Sequence, residues 1–426
     1  MTSSDSSRPN KVLVIGCCLT GYAVVRALSK RDIHIVAVTY SAERDVAHLS
    51  RHVSEVAHSP VPESERDFVD YLISNADRWG GALILETADR VAVILSKYKK
   101  ELSKYYRIAT PDWAALSVFV EKEKTYALVE QLGIPHPKSL YLEPDTEVPD
   151  VLFPCILKPV RGFEFAAKFQ RKNFQVNDET ELKEKLKLCR DARLPMILQE
   201  IIPGPDENLY KMQGYVNSKG TTVGKFFYRK LRQNPPRFGI ARVGVSVERY
   251  PEVEKLTDQL LHHTSYRGYF SNEFKLDPRD GQLKLIENNC RMPRSGMLAT
   301  TSGVNFPWLM YQDLVLDVQA DVTEYKTGTY WIDLWSDMYN LIASGDIEDI
   351  SLRDYVAPYL TRDKVFSDLK FSDLSPFIRV VSNNSKRLWQ DYLKRRASRD
   401  GVDAARGAPE PEPHAVERQS LSAAKR

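Results

Sequence analysis

The 426-residue chain lacks several things that would decide its class at once. No stretch approaches the ~18 consecutive apolar residues of a membrane span. The first ten residues, "MTSSDSSRPN", have no apolar core of the kind a secretory signal needs, so a cytosolic protein is expected. Cysteine is scarce: Cys17, Cys18, Cys155, Cys189 and Cys290 form an odd set with no C-x-x-C spacing and no histidine partners nearby. That excludes a disulfide framework and a zinc finger and leaves free thiols as the expectation. Charge of one sign is lacking too, since 60 Lys+Arg against 57 Asp+Glu leave +3. Neither nucleic acid nor an anionic membrane is an expected partner, and any basic site must be local. The sequence has no G-x-x-x-x-G-K-[ST], no H-E-x-x-H and no G-x-S-x-G, so the phosphate-loop, zincin and serine-hydrolase chemistries each lack their central part.

What is present falls into blocks. Residues 10–112 alternate apolar runs ("KVLVIG", "IHIVAV", "ALILE", "YRIAT") with helical patterns ("YAVVRALSKR", "ADRVAVILSKYKKEL"), which predicts a small doubly wound domain with a parallel sheet. In "GCCLTG", Cys18 stands where a dinucleotide fingerprint needs its second glycine. Gly16 and Gly21 then read as a tight strand-to-helix turn, with the helix N-terminus as a candidate anion contact.

From 113 to 320 the pattern is α+β. A helix through "SVFVEKEKTYALVEQ" stops at Gly133, strands are expected at "PCILKPV" and "PMILQEII" around a charged helix, and antiparallel strands follow at "YKMQGYVNSKG", "TTVGKFFYRK", "GYFSNEFKLD" and "GQLKLIEN". Residues 321–397 read as a helical extension. The first nine residues and 398–426 have too few large apolar side chains to fold.

The chemistry is carried by lysines and carboxylates on strands. Lys158 ends the apolar run "PCILKP", where a lysine either snorkels to the surface or meets an anion. "GYFSNEFKLDPRDGQLKLIENN" reads as two strands around a turn at Asp277–Gly281. Pairing across it brings Glu273 near Glu287 and Asn289, which alternation puts on one face. Such a cluster is either a solvated face or a set of hard oxygen donors suited to magnesium.

Six ordered stretches resemble the ATP-grasp superfamily in its carboxylate-amine ligase branch: "GCCLTG", "EKEKTYALVEQLGIPHP", "PCILKPVRG", "LQEIIPGPDENLY", "RKLRQNPPRFG" and "NEFKLDPRDGQLKLIENNCR". The resemblance spans residues 10 to about 320. It implies a Rossmann-like pre-ATP-grasp domain at 10–112, a two-lobed ATP-grasp domain at 113–320, and ATP with Mg²⁺ (or Mn²⁺) as cofactors.

Position by position, it implies that Lys122 and Lys158 approach the phosphates and that Gln199, Glu200, Ile201 and Ile202 form the adenine hinge. Glu207 would lie near the ribose, with Lys230 and Arg232 on a basic strand facing the phosphates. Glu273, Glu287 and Asn289 would hold the metal, and Arg291 would meet an acyl phosphate or substrate carboxylate. The sequence departs from the family pattern at Cys290, which replaces a proline, and in "VRGFEFAAK", a flap with a single glycine.

The implied activity is ATP-dependent joining of a small-molecule carboxylate to an amine, in an assembly that related folds suggest is a homodimer. A non-catalytic nucleotide-binding interaction protein is the alternative. An NAD(P) oxidoreductase is a further one, weakened by Cys18.

Overall fold

The computed structural model describes residues 10–385 except 42, 144–150, 152, 161–164, 166–167, 170–172, 235–238 and 345–349. The expected flap at 160–168 and the aromatic stretch "LWQDYLKRR" therefore lie largely or wholly outside the described residues. By its contacts the chain divides into two units, Met1–Phe377 and Ile378–Arg426. The three sheets lie in the first, and the described part of the second is helical.

The first sheet is built from β1 (Lys11–Ile15), β2 (His34–Thr39), β3 (Glu55–His58), β4 (Leu83–Glu86) and β5 (Arg107–Ile108), all parallel in the order β3-β2-β1-β4-β5. Its apolar runs are buried on both faces, as a helix-flanked parallel sheet requires. The order reverses between β1 and β4, so the crevice beyond those two strand ends is the natural place for a ligand or a neighbouring lobe. The glycines after β1 act sterically: Gly16 has φ +91°, and a Cβ on Gly21 would lie 2.2 Å from the Gly16 carbonyl oxygen.

The helical text at 113–131 is two helices, Trp113–Val120 and Lys122–Gln131, because Glu121 between them is extended (φ −96°, ψ 102°). The break starts the second helix at Lys122. Gly133, at φ +64°, ends it.

A small antiparallel sheet follows, with β6 (Ser139–Leu142), β7 (Cys155–Pro159), β8 (Phe174–Val176) and β9 (Met196–Glu200) in the order β6-β9-β7-β8. The Glu179–Asp191 helix, whose Asp178 cap accepts from the Glu181 N–H, covers one face through Leu182, Leu186 and Cys189.

The large sheet contains β10 (Leu209–Val216), β11 (Thr222–Asn234), β12 (Ile240–Ser246), β13 (Gly268–Leu276), β14 (Leu283–Asn289), β15 (Tyr330–Ile332) and β16 (Lys364–Phe366), in the order β14-β13-β10-β11-β12-β15-β16. Strand alternation sorts its two faces. Met212, Val216, Phe227, Phe270, Phe274, Leu283 and Leu285 pack on Val253, Leu260 and Leu261 of the Pro251–His263 helix. The residues between them, Lys211, Gln213, Tyr228, Ser271, Glu273, Glu287 and Asn289, take the opposite face.

The C-terminal extension is helical over Leu334–Ser344 and Leu352–Leu360, and it also adds β15 and β16 to the large sheet. The strand text "TYWI" was hidden in a longer aromatic run, and β12 escaped because its apolar residues are interrupted by Arg242 and Gly244.

Candidate functional site

The site is assembled from the polar face of the large sheet. Register puts Tyr228 opposite Lys211, Lys211 opposite Glu273 and Glu273 opposite Glu287, so one row of side chains runs across β11, β10, β13 and β14. The next row holds Gln213, Ser271 and Asn289. A bulge between Glu273 and Phe274 restores the pairing of Phe274 with Leu285, so the apolar face stays buried while Glu287 is turned onto the polar one.

Glu273 is buried and held by two ammonium groups. Lys230 Nζ lies 2.8 Å from its Oε2 and Lys211 Nζ 3.1 Å from the same oxygen. Burial pushes the Glu273 carboxyl up, but Lys230 and Lys211 outweigh it and hold it well below the usual carboxylate range. Glu287, by contrast, is exposed.

Two further lysines come from outside the large sheet, one on the Lys122–Gln131 helix and one on β7 of the small sheet. Lys122, the first residue of its helix, donates to the Pro159 carbonyl (3.2 Å), and Lys158 donates to Gln199 Oε1 (2.6 Å). Burial lowers the pKa of both. At Lys122 the charge of Glu287 opposes that shift and the charge of Lys158 adds to it, whereas at Lys158 both Glu287 and Glu273 oppose it. Gln199 is nearly fully buried and donates in turn to Tyr126 OH (2.6 Å) and Ser139 Oγ (2.7 Å). Tyr126 OH then donates to the Ile286 carbonyl (3.4 Å), which ties the small sheet to the strand bearing Glu287.

Beyond Gln199 the chain leaves β9 at Glu200, and Ile201 and Ile202 continue outside any ladder. The Glu200 carboxylate is taken by the Lys138 N–H (2.9 Å) and Arg279 (3.1 Å). Glu207 sits in a short 3₁₀ turn, and its carbonyl accepts from Arg229 Nε (2.7 Å).

Arg291 reaches the first sheet. Its Nε lies 3.1 Å from Oδ1 of Asp89, the first residue of the helix after β4. Asp89, and after it burial and Glu287, govern a pKa that is raised overall. The helix that follows β4, at the β1/β4 reversal, thus meets the chain just beyond β14.

Arg232 departs from expectation. Its Nε and Nη2 close on the two oxygens of Asp337 (3.0 and 2.6 Å), Nη1 donates to the Tyr355 carbonyl (3.1 Å), and the Tyr355 ring lies 4.1 Å away. The cause is a bulge: Lys230 pairs with Gly244 but Arg232 with Val243, so the alternation that would put both side chains on one face is broken. In this structure the Arg232 guanidinium is engaged by Asp337 and Tyr355 and anchors the C-terminal extension.

Several site residues escaped the sequence reading. Lys211, a lysine inside the apolar run "LYKMQGYV", carries the same signal as Lys158 and could have been found by it. Arg294, the second guanidinium of "RMPRSG", donates to Asp333 (2.7 Å), which also accepts from Arg242 (2.8 Å) and is fully buried. Asp333 comes from the extension, and nothing local marks it.

Glu273, Glu287 and Asn289 supply hard oxygen donors on one face, which fits a magnesium ion that keeps some of its ligands as water or phosphate. Among the described residues no group of three His, Cys, Asp or Glu side chains is gathered to hold a metal, and no helix is long and apolar enough to cross a membrane. The candidate set has two carboxylates and an amide. All five cysteines are free.

No protein-family model matches the chain. It is 28% identical over 258 residues to the D-aspartate ligase of Enterococcus faecium (strain Aus0004), a match covering 58% of this chain. The match spans 61% of that relative's length, less than two thirds. Among solved structures, an L-amino acid ligase from Bacillus licheniformis aligns with a TM-score of 0.58 at 17% identity, over 73% of this chain and 75% of that one. An N5-carboxyaminoimidazole synthetase from Staphylococcus aureus, complexed with ADP, aligns with a TM-score of 0.61 at 13% identity, over 79% and 85%. The chain shares its fold with these two proteins and, over 58% of its length, is similar in sequence to a D-aspartate ligase.

Proposed function

We propose that the chain is an ATP-dependent ligase that joins a carboxylate to an amine through an acyl phosphate and releases ADP and phosphate. The observation that carries this reading is the convergence of Lys122, Lys158, Lys211, Lys230 and Arg291 on the Glu273–Glu287 pair, where two lobes meet. With Asp89 counted, five cationic groups face three carboxylates, a surplus that suits a polyanion such as a nucleotide triphosphate. The ADP complex of the structural neighbour and the ligase names of the relatives support the same reading.

A carboxylate is a poor electrophile. Its oxygen attacks the γ-phosphorus, the bond to the β-phosphate oxygen breaks, and ADP leaves. The amine then attacks the acyl carbon and expels phosphate. Lys122 and Lys158 bind the phosphates, and burial strengthens their electrostatic interaction with them. Lys230 stabilises charge that develops in the transfer, and Arg291 orients the carboxylate. Gln199 to Ile202 give the hinge its extended backbone for an adenine edge, and Glu207 lies on the ribose side. Glu273, Glu287 and Asn289 would hold magnesium, which when bound neutralises phosphate charge. No side-chain nucleophile is needed, and the free cysteines agree with action in the cytoplasm.

The test is a trap. With ATP, Mg²⁺, a panel of carboxylates and hydroxylamine in place of the amine, a hydroxamate should form with one ADP per turnover. AMP and pyrophosphate as products would exclude the mechanism.

A further inference from the structure

Glu273 is the deepest of the three candidate metal donors and already has two cations of its own. Lys230 Nζ is within 2.9 Å of both its oxygens, and Lys211 Nζ is 3.1 Å from Oε2. Neither lysine is a surface group that could swing into water at no cost: their side chains are 7% and 12% exposed, against 5% for Glu273. Lys230 has a second contact at Gln233 Oε1 (3.4 Å), whereas among the described residues Lys211 forms its ion pair with Glu273. Lys211 is fixed to Glu273 by register, since the two residues pair directly across β10 and β13.

A divalent cation bound to Glu273 would therefore enter within a few ångströms of two ammonium groups, in a place largely shielded from solvent. Like charges at that distance repel strongly, and burial removes most of the screening. The only group in the proposed reaction able to reverse that balance is a phosphate chain, which brings several negative charges to the same lysines. We propose that Lys211 is a positioning residue that keeps the metal site closed until nucleotide arrives. Its ammonium takes the place of the metal's charge beside Glu273, so divalent cations bind to the nucleotide complex and not to the free protein. This rests on the ligase reading for the identity of the nucleotide, but the role of Lys211 toward a cation can be measured without turnover.

The experiment is Mn²⁺ binding to the full chain, followed by the electron paramagnetic resonance signal of the free ion. Wild type, Lys211→Met and Lys211→Gln are compared, with and without ADP. Methionine keeps the unbranched apolar stem and removes the charge, and glutamine covers the case in which one of the two variants folds poorly. Wild-type protein alone should leave the free Mn²⁺ signal unchanged, and adding ADP should lower it beyond the effect of ADP itself. The Lys211 variants should bind Mn²⁺ without nucleotide at least about tenfold more tightly than wild type, a difference that Glu287→Gln in the same background removes.

Mn²⁺ binding to nucleotide-free wild type that Glu287→Gln abolishes would overturn the proposal. So would folded Lys211 variants that bind Mn²⁺ no better than wild type. ADP binding is recorded separately by calorimetry. Failure of ADP to bind would count against the ligase reading, while the comparison of wild type with the Lys211 variants would still decide the role of Lys211.

Discussion

Glu273 and Glu287 stand directly opposite each other across β13 and β14, one buried and ion-paired, the other exposed. Like charges facing each other on adjacent strands destabilise a sheet by a few tenths of a kcal/mol to about 1 kcal/mol. The facing pair itself adds nothing to the fold, whereas a cation brought between the two carboxylates together with a nucleotide makes it favourable. Glu287→Gln, which keeps the volume and removes the charge, should lower turnover by about 100-fold or more while leaving the unliganded melting temperature equal or slightly raised. Steady-state ADP release and a thermal melt check both halves. Turnover near the wild-type rate would remove Glu287 from the metal site.

Lys158 makes the parallel case for the nucleotide. Its charge is buried at the end of an apolar strand with a neutral amide, Gln199, as the recorded partner of its Nζ, and burial lowers its pKa. A lysine kept under those conditions costs stability in the empty protein. Lys158→Met should therefore weaken ATP binding about tenfold or more, the loss of a charge-assisted contact, and leave the urea midpoint unchanged or higher. Calorimetric titration with ATP and equilibrium unfolding separate the two effects. Normal ATP binding with a lower midpoint would mean that the lysine is structural.

The parts of this site that could be read in the sequence are those set by short-range rules. The Asp277–Gly281 turn makes β13 and β14 neighbours and period-2 alternation puts Glu287 and Asn289 on one face, but the bulge that sets Glu287 opposite Glu273 is not written in the spacing. Lys158 showed itself as a charge in an apolar run. The partners of Arg232 were not legible because a bulge is a pairing defect, visible only once β12 is in place beside β11. Asp333, just after β15, and Asp337, in the helix that follows, lie 91 and 105 residues along the chain from their partners Arg242 and Arg232, and no local spacing reports such a contact. The break at Glu121 was equally hidden, since "SVFVEKEKTYALVEQ" has helical propensity throughout.

The Arg232–Asp337 pair gives a prediction of the opposite kind. Both side chains are buried, the contact is two-pronged, and Tyr359 OH donates to the same carboxylate (2.5 Å). Removing one partner strands the other charge, so Asp337→Ala should cost about 3–5 kcal/mol, read by urea unfolding. Replacing both, Arg232→Met with Asp337→Leu, should recover most of that loss. ATP affinity in the folded double variant should equal wild type, since the Arg232 guanidinium is already engaged by Asp337 and Tyr355. A large loss of ATP binding in that variant would return Arg232 to the phosphate site.

Glu86, the last residue of β4, should give the chain a measurable pH dependence. The carboxyl is buried, and burial raises its pKa to about 7, with hydrogen bonds to its own backbone and to Thr110 and the charge of Lys99 pulling the other way. An acid whose folded-state value lies above its ordinary 4.5 binds its proton more tightly in the folded protein. The folded state then carries more protons than the unfolded state between about pH 4.5 and 7, and its stability falls as pH rises through that window. Above it the penalty is constant. Glu86→Gln mimics the protonated form, so its advantage over wild type should be small near pH 4.5, grow through the window, and approach about 3 kcal/mol at pH 8 as an upper bound. Urea unfolding of both proteins at several pH values measures the difference directly. A difference independent of pH would mean that Glu86 is ionised in the folded protein at every pH tested, with a counter-charge holding it there.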